Sequence, residues 1–168
     1  MASEILLVDD NSDIRQLISG ILREKGFVVR AAANYDQALI EINKKLPDAA
    51  VIDVKLDKGD NDGIELLVHI KKIDEDVPVI MISGHANVQM AVDSLKQGAF
   101  EFMQKPFSTE RLLNFVNRAI ENTNLKKEKR IFENKLFHSY EFIGQSQSIE
   151  KIKNLIRKLA GTESRVFI

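Results

Sequence analysis

Carboxylate, hydroxyl and amine side chains follow short apolar runs along this chain, in a combination that could carry out phosphoryl transfer. They are Asp9 and Asp10 at the end of the first run, Asp53 at the end of the third, Ser83 at the end of the fourth and Lys105 just after the fifth. Carboxylates that share a cleft repel one another unless a cation is present, and Mg²⁺ suits one or two carboxylates, a carbonyl oxygen and water. Asp53 could then attack phosphorus to form an aspartyl phosphate, with Lys105 neutralising charge and Ser83 donating a hydrogen bond.

These side chains can converge only if the apolar runs are parallel strands of one sheet. The predicted strands span 4–9, 27–31, 49–54, 78–83 and 99–104, and a segment with helical spacing follows each of them. Because right-handed crossovers place helices between the strands, the pattern predicts an α/β fold with a doubly wound, five-stranded parallel sheet. In the flavodoxin-like order 2-1-3-4-5, strands 1, 3, 4 and 5 are neighbours and ligands bind beyond their carboxyl ends. Strand 2, which delivers no comparable residue, then lies at the edge.

Capping and breaking residues predict where the helices begin and end. Asn11 or Ser12 can cap the first helix, and Gly26 stands where a left-handed C-terminal cap would be. A second helix is predicted over 35–46, before Pro47. The fourth helix ends at Gly98 and is marked by Val88, Ala91, Val92 and Leu95. The fifth begins at Ser108, with Glu110 in its first turn.

The composition fits a globular protein and excludes several classes. Of 168 residues, 44% are hydrophobic and 29% charged, and the lack of cysteine excludes disulfides, thiolate catalysis and cysteine-rich zinc sites. No apolar run is long enough to span a bilayer or to act as a signal peptide, so we expect a cytoplasmic protein without membrane contact. The net charge of −1 hides an asymmetry: residues 1–124 carry 14 basic and 20 acidic residues, whereas 125–168 carry 10 and 5. Two units with different roles are indicated.

The basic part begins as a continuation of the fifth helix. Neither Pro nor Gly interrupts 122–137, and Leu125, Phe132 and Leu136 stand seven and four residues apart. This spacing suits either a short coiled-coil seam or a solvated linker helix. An amphipathic helix over 149–159 and a short strand over 165–168 are predicted beyond it, in a piece too small to form a core alone.

The order and spacing of four segments resemble the response regulator receiver domain, which has the CheY-like fold. They are Leu6–Asp10, Val51–Val54, Met81–His85 and Gln104–Phe107. The resemblance implies a receiver domain over 1–122, followed by a helical linker over 123–140. It also implies that Asp53 accepts a phosphoryl group from a histidine kinase, so that the chain is a signalling protein rather than an enzyme.

The same resemblance implies a role for each residue of the pocket. Asp10, Asp53 and the backbone carbonyl of Lys55 would bind Mg²⁺ directly, and Asp9 would support the ion through water. The loop over 55–62 is longer and more acidic than in many receivers and lacks their proline, which makes the Lys55 carbonyl the weakest of these assignments.

The resemblance further implies a switch. Ser83 and Phe102 would be the switch pair, and the Lys105–Pro106 peptide bond would be cis. Phosphorylation would then change the face built from helix 4, strand 5 and helix 5, through which the family is expected to dimerise.

The tail over 141–168 resembles the start of the AAA+, sigma-54-interaction domain of NtrC-type regulators, through Phe142–Ser146, the helix after it and Ser164–Ile168. The longer loop after strand 3, together with the Ser-Gly-His stretch over 83–85, looks closest to the NtrX branch. A cognate sensor histidine kinase of the NtrY type is therefore expected. No Gly-x-x-x-x-Gly-Lys pattern occurs in the chain, so we expect a truncated regulator whose ATPase, DNA and sigma-54 polymerase contacts lie in missing domains.

Three alternatives remain from the sequence alone. A haloacid-dehalogenase-type phosphohydrolase also uses a strand-end Asp, but it needs a second Asp two residues later, where this chain has Lys55. A flavin or nucleotide binder needs a phosphate loop where Asp9 and Asp10 stand. A phosphorylation-independent docking module is the third. His69, His85 and His138 lack metal-ligand spacing and are interpreted as surface or loop residues.

Overall fold

Five strands alternate with five helices along the chain. The computed structural model describes residues 2–57, 59, 61–84, 88–139 and 154, with the backbone alone over 133–139. The strands are β1 (Glu4–Val8), β2 (Val28–Ala32), β3 (Ala49–Asp53), β4 (Val79–Ser83) and β5 (Glu101–Gln104). The helices are α1 (Ser12–Glu24), α2 (Tyr35–Lys44), α3 (Asp62–Ile73), α4 (Val88–Lys96) and α5 (Thr109–Ser139).

All strand pairs are parallel and the sheet order is β2-β1-β3-β4-β5, which confirms the predicted doubly wound topology. In the register, Val8 pairs with Ile52, Asp53 with Ile82 and Ser83 with Gln104. The last residues of the inner strands therefore lie side by side at the carboxyl edge of the sheet.

The sheet carries an apolar cluster on each face. One cluster joins alternate residues of β1, β3 and β4 to α2 and α3, and Met90 of α4 packs against it. The other joins the intervening strand residues to α1 and α5, through side chains such as Leu22 and Val116. Strands β3 and β4 are buried along their whole length, as expected for inner strands covered by helices on both faces.

The element boundaries shift by a residue or two from those predicted. Helix α2 ends at Lys44 rather than at residue 46, because Lys45 is already extended and the position before Pro47 disfavours helix. Strand β5 begins at Glu101 rather than at Ala99, because the Ala99 N–H closes the end of α4 by donating to the Ser94 carbonyl.

Several local predictions are confirmed. Asn11 is the N-cap of α1, and its side chain accepts hydrogen bonds from the Asp13 and Ile14 N–H groups. Gly26 and Gly98 both have positive φ, and the Lys105–Pro106 bond is cis.

The chain divides into two compact units, residues 1–127 and 128–168. Helix α5 runs without interruption to Ser139, as the sequence predicts. The predicted helix and strand of the tail lie outside the described residues, apart from Asn154, whose backbone is helical. Within the described part of the chain, no helix is both long and apolar enough to cross a membrane.

Candidate functional site

The carboxyl edge of the sheet brings three carboxylates together, as predicted. One ligand atom from each of Asp9, Asp10 and Asp53 lies within 4.8 Å of the other two. Asp9 is fully buried, Asp53 is 6% exposed and Asp10 is exposed, so the cluster extends from the protein interior to its surface. Within the part of the chain that the structure describes, no other group of three acidic or histidine side chains has this spacing.

Hydrogen bonds fix the Asp9 carboxylate and the backbone of Asp9 and Asp10. The Asp9 carboxylate accepts a hydrogen bond from the Asn11 N–H at 2.9 Å. The guanidinium of Arg15, on the first turns of α1, donates to the Asp9 carbonyl at 2.7 Å and to the Asp10 carbonyl at 3.2 Å. The sequence analysis missed Arg15, because a helical arginine near a turn carries no local signal of such a contact.

Lys105 reaches the cluster from the end of β5. Its ammonium donates to Asp9 Oδ2 at 2.7 Å and to Asp53 Oδ2 at 2.5 Å. Burial alone would lower the pKa of Lys105, but the hydrogen bonds to Asp53 and Asp9 raise that pKa above the ordinary lysine value. The side chain is therefore a fixed positive charge shared by two carboxylates.

The carboxyl group of Asp53 has a raised pKa. Burial raises the pKa of its carboxyl group and the neighbouring Asp9 charge adds to this, although the bonds from Lys105 act in the opposite direction. The Lys55 N–H also donates to Asp53 Oδ1 at 3.3 Å. Three carboxylates and one ammonium leave two negative charges in excess, so the cluster favours a divalent cation.

The loop between β3 and α3 is fastened by two residues that the sequence analysis did not single out. Asp62 is buried, and its carboxylate accepts a hydrogen bond from the Leu56 N–H at 2.8 Å. Gly63 packs directly against the backbone of the acceptor strand: a Cβ at this position would lie 1.9 Å from the Asp53 carbonyl oxygen. A glycine in the first turn of a helix, where it is unfavourable, is the signal that could have indicated this close approach.

The opposite wall of the pocket is formed by the end of β4 and the start of α4. Ser83 is 3% exposed, and its hydroxyl donates to the Met90 sulfur at 3.7 Å. Ser83 and Met90 line a pocket of about 540 Å³ together with Asp53, Lys55 and Lys105. All the residues assigned to phosphoryl chemistry by their sequence positions therefore border one cavity or bind its walls.

Phe102 and His69 are not among the described residues that line the acidic pocket. Phe102 is partly buried and packs against the apolar cluster that also contacts Met90. His69 is half-buried on α3 and lines a surface cleft formed by α3 and α4, in agreement with its interpretation as a surface residue. His85 and the side chain of His138 lie outside the described residues.

Comparison with protein families identifies the class. Residues 5–117 match the response regulator receiver domain, so the chain belongs to the response regulator receiver family of two-component signalling. Its relatives within that family include regulators of the NtrX and NtrC type. The chain is 39% identical over 168 residues to the nitrogen assimilation regulatory protein NtrX of Azorhizobium caulinodans, covering all of this chain and 37% of that protein.

Two solved structures show the same likeness. The receiver domain of NtrX from Brucella abortus matches with a TM-score of 0.66 and 44% identity, over 70% of this chain and 98% of that one. The beryllofluoride-activated receiver domain dimer of NtrC4 matches with a TM-score of 0.68 and 37% identity, over 71% and 98%. The chain spans little more than a third of the length of the Azorhizobium relative and contains the receiver domain of an NtrX/NtrC-type response regulator.

Proposed function

We propose that Asp53 is the phosphoacceptor of this receiver and that its phosphorylation is the input signal of a two-component regulator. The observation that supports the proposal is the combination of a nearly buried carboxylate, two further carboxylates and one lysine at the edge of a cavity of about 540 Å³. Such a site supplies position and charge, which are the main requirements of phosphoryl transfer.

The donor atoms fit the magnesium ion that the family implies. Asp10 is exposed and Asp53 faces the cavity, so both can offer hard oxygen ligands, and the two excess negative charges match a divalent cation. The Lys55 carbonyl is the proposed third protein ligand, and Asp9 would act through water. When bound, the ion would neutralise charge on the transferring phosphoryl group.

The side chains would divide the reaction among them. An Asp53 carboxylate oxygen attacks phosphorus, a new P–O bond forms, and the bond between phosphorus and the donor nitrogen of a phosphohistidine breaks, leaving its electron pair on that nitrogen. Lys105 neutralises a phosphoryl oxygen from the β5 side. Arg15 positions the Asp9 and Asp10 backbone and does not contact the reacting atoms.

The switch proposed for the product uses Ser83 and Phe102. The Ser83 hydroxyl would bind the phosphoryl group on Asp53, and Phe102 would fill the space that becomes available beside β4. The equilibrium between two states of α4, β5 and α5 would change accordingly. The partial burial of Phe102 against the same cluster as Met90 supports this route.

Labelling with acetyl phosphate and Mg²⁺, followed by intact-mass measurement, tests the phosphoacceptor. We expect one phosphoryl group per chain, lost in Asp53→Ala and retained in the matched control Asp57→Asn, which removes an exposed carboxylate from the following loop. Labelling that persists in Asp53→Ala contradicts the assignment. An unlabelled wild-type chain that still binds Mg²⁺ would favour the docking-module alternative.

We further propose that the chain is not a turnover enzyme. Lys55 stands where a haloacid-dehalogenase-type hydrolase needs its second aspartate, and its N–H donates to Asp53. Incubation with a large excess of a small phosphodonor should release inorganic phosphate only at the rate at which the aspartyl phosphate hydrolyses. Rapid multiple turnover on phosphomonoesters would overturn this proposal.

A homodimer through α4, β5 and α5 is the assembly we propose for the phosphorylated state. Val88, Val92 and Leu95 form an exposed apolar stripe on α4, with 83%, 38% and 45% of each residue accessible. The NtrC4 receiver, solved as a beryllofluoride-activated dimer, is a precedent. Light scattering with beryllofluoride and Mg²⁺ should show a dimer that Val92→Lys abolishes, whereas Ile40→Lys on the exposed face of α2 should leave it intact.

The remaining partners are proposed from the family. We propose a cytoplasmic protein with an NtrY-type sensor histidine kinase as phosphodonor. DNA and sigma-54 polymerase contacts, with the AAA+ fragment over 141–168, are assigned to the output side of the regulator. The receiver boundary at residue 122 and the linker over 123–140 likewise stay predictions.

A further inference from the structure

Met90 stands between two cavities of the receiver. It lines the acidic pocket together with Asp53 and Ser83. It also lines a second cleft, of about 650 Å³, on the other side, where its neighbours include His69 of α3 and Asp93 of α4. Of the residues described as lining these two cavities, Met90 is the one that they share.

The thioether of Met90 connects α4 to the site through the hydroxyl of Ser83. Ser83 Oγ donates to Met90 Sδ at 3.7 Å, in a setting where Ser83 is 3% exposed. A thioether sulfur is a weak acceptor, so this bond can be exchanged for a stronger one at little cost. The Met90 carbonyl in turn accepts a hydrogen bond from the fully buried Ser94 hydroxyl at 2.8 Å, which ties the same turn of α4 together.

We propose that Met90 is a positioning residue that competes with the phosphoryl group for the Ser83 hydroxyl. A phosphoryl oxygen is charged and accepts a hydrogen bond more strongly than a thioether does. Phosphorylation would transfer the Ser83 hydrogen bond from Met90 to the phosphoryl group, and this transfer would release the first turns of α4 from β4. The inference rests on the proposed function of Asp53, and it adds a residue that links α4 to β4 in the unphosphorylated state.

Two substitutions at position 90 should change phosphoryl-analogue affinity in opposite directions. Met90→Leu nearly conserves volume but removes the acceptor, so it should tighten beryllofluoride binding about twofold to fivefold, the equivalent of one weak neutral hydrogen bond. Met90→Gln offers an amide oxygen of similar reach and should weaken the binding by about the same factor. Titration calorimetry with beryllofluoride at saturating Mg²⁺ gives both values.

The control for a packing effect is a double-mutant cycle with Ser83→Ala. If Met90 acts through the hydroxyl, both substitutions should leave the affinity of the Ser83→Ala protein unchanged. Met81→Leu, at a fully buried methionine on β4 in the same apolar cluster, should not change the wild-type affinity.

The outcomes separate the two proposals. If the wild-type chain does not bind beryllofluoride, the proposed function fails and this inference fails with it. If the wild type binds it, but position 90 has no effect or has the same effect in the Ser83→Ala background, the inference about Met90 alone is overturned.

Discussion

The two edges of the sheet both hold aspartate–lysine contacts, but they balance charge differently. At the carboxyl edge, one ammonium, that of Lys105, is shared by Asp9 and Asp53. At the amino edge, Asp48 has a lysine of its own: Lys127 of α5 lies 2.5 Å from one carboxylate oxygen, and the Glu4 N–H donates to the other at 2.9 Å.

The pKa of Asp53 at the carboxyl edge is raised, whereas the pKa of Asp48 at the amino edge is lowered. Burial raises the pKa of Asp53 in spite of Lys105. At Asp48 burial also acts to raise the pKa, but the hydrogen bonds from Lys127 and the Glu4 N–H outweigh it and lower the pKa. Buried carboxylates in excess of their cations indicate a site for a ligand, whereas a matched pair indicates a structural contact.

Contacts with Asp48 and Asp76 hold residues 123–127 of α5 in place. Thr123 donates to the Asp48 carbonyl at 3.0 Å, and Lys126 pairs with Asp76 at 2.8 Å. Thr123, Lys126 and Lys127 therefore contact the amino edge of the sheet, opposite the carboxylate cluster.

The largest effect should come from Gly63→Ala, which tests whether the carboxyl edge depends on backbone packing as well as on charge. A Cβ there would clash with the Asp53 and Val54 carbonyl oxygens, at 1.9 and 2.8 Å. We expect the free energy of unfolding in urea to fall by about 3 kcal/mol.

Gly20→Ala is the matched control for that substitution. Nothing lies within 4 Å of a Cβ at this position of α1, so the same change should stabilise the protein by about 1 kcal/mol through helix propensity. Equal effects at positions 63 and 20 would refute the close-packing argument.

The next largest effect should be a difference in stability loss between substitutions of Lys105 and Lys127. Lys105→Gln leaves the carboxylates without their ammonium, and at 15% side-chain exposure this should cost about 2 kcal/mol of unfolding free energy in EDTA. Lys127→Gln breaks a pair whose lysine side chain is 55% exposed and should cost about 0.5 kcal/mol. Added Mg²⁺ should recover stability in Lys105→Gln and not in Lys127→Gln; similar losses in the two variants would remove the distinction between the edges.

Asp53→Asn and Asp48→Asn should change the free energy of unfolding in opposite directions. Asp53→Asn removes an excess buried charge while keeping an acceptor for Lys105, so it should stabilise the metal-free protein by about 1 kcal/mol. Asp48→Asn weakens a matched pair and should destabilise it by about 1 kcal/mol. Urea denaturation at pH 7 in EDTA measures both, and destabilisation by Asp53→Asn would show that the pocket is not electrostatically strained.

The site at the carboxyl edge could be predicted from the sequence, because its side chains stand at the ends of strands. Asp9, Asp53, Ser83 and Lys105 each end or follow a strand, and the parallel topology makes these ends neighbours. The local hydrophobic pattern and the rule for ligand sites in parallel sheets were therefore enough to predict that the reacting groups are close together.

The sequence failed where a contact depends on the approach of elements far apart in the chain. Thr123 of α5 reaches the Asp48 carbonyl across 75 residues, and no local pattern of a charged helix reveals this contact. Helix α4 shows a second limit, because the periodic positions Val92 and Leu95 are exposed whereas Ser94 is buried. The Ser94 hydroxyl is satisfied within the helix by donating to the Met90 carbonyl. Periodicity located the helix but did not identify the face that packs inward.

The smallest expected effect is a difference in pH dependence between the two asparagine variants. For each variant, the quantity to compare is the pH at which its free energy of unfolding becomes equal to that of the wild type. The lowered pKa of Asp48 means that its stabilising contribution is full above the ordinary aspartate value of 3.8 and is lost as pH falls through the lower folded-state pKa. The raised pKa of Asp53 means that its cost is full at neutral pH and is relieved as pH falls through a value above 3.8. In urea titrations from pH 7 downward, the advantage of Asp53→Asn should therefore begin to shrink at a higher pH than the penalty of Asp48→Asn, and the reverse order would overturn the assignment of excess charge to the carboxyl edge.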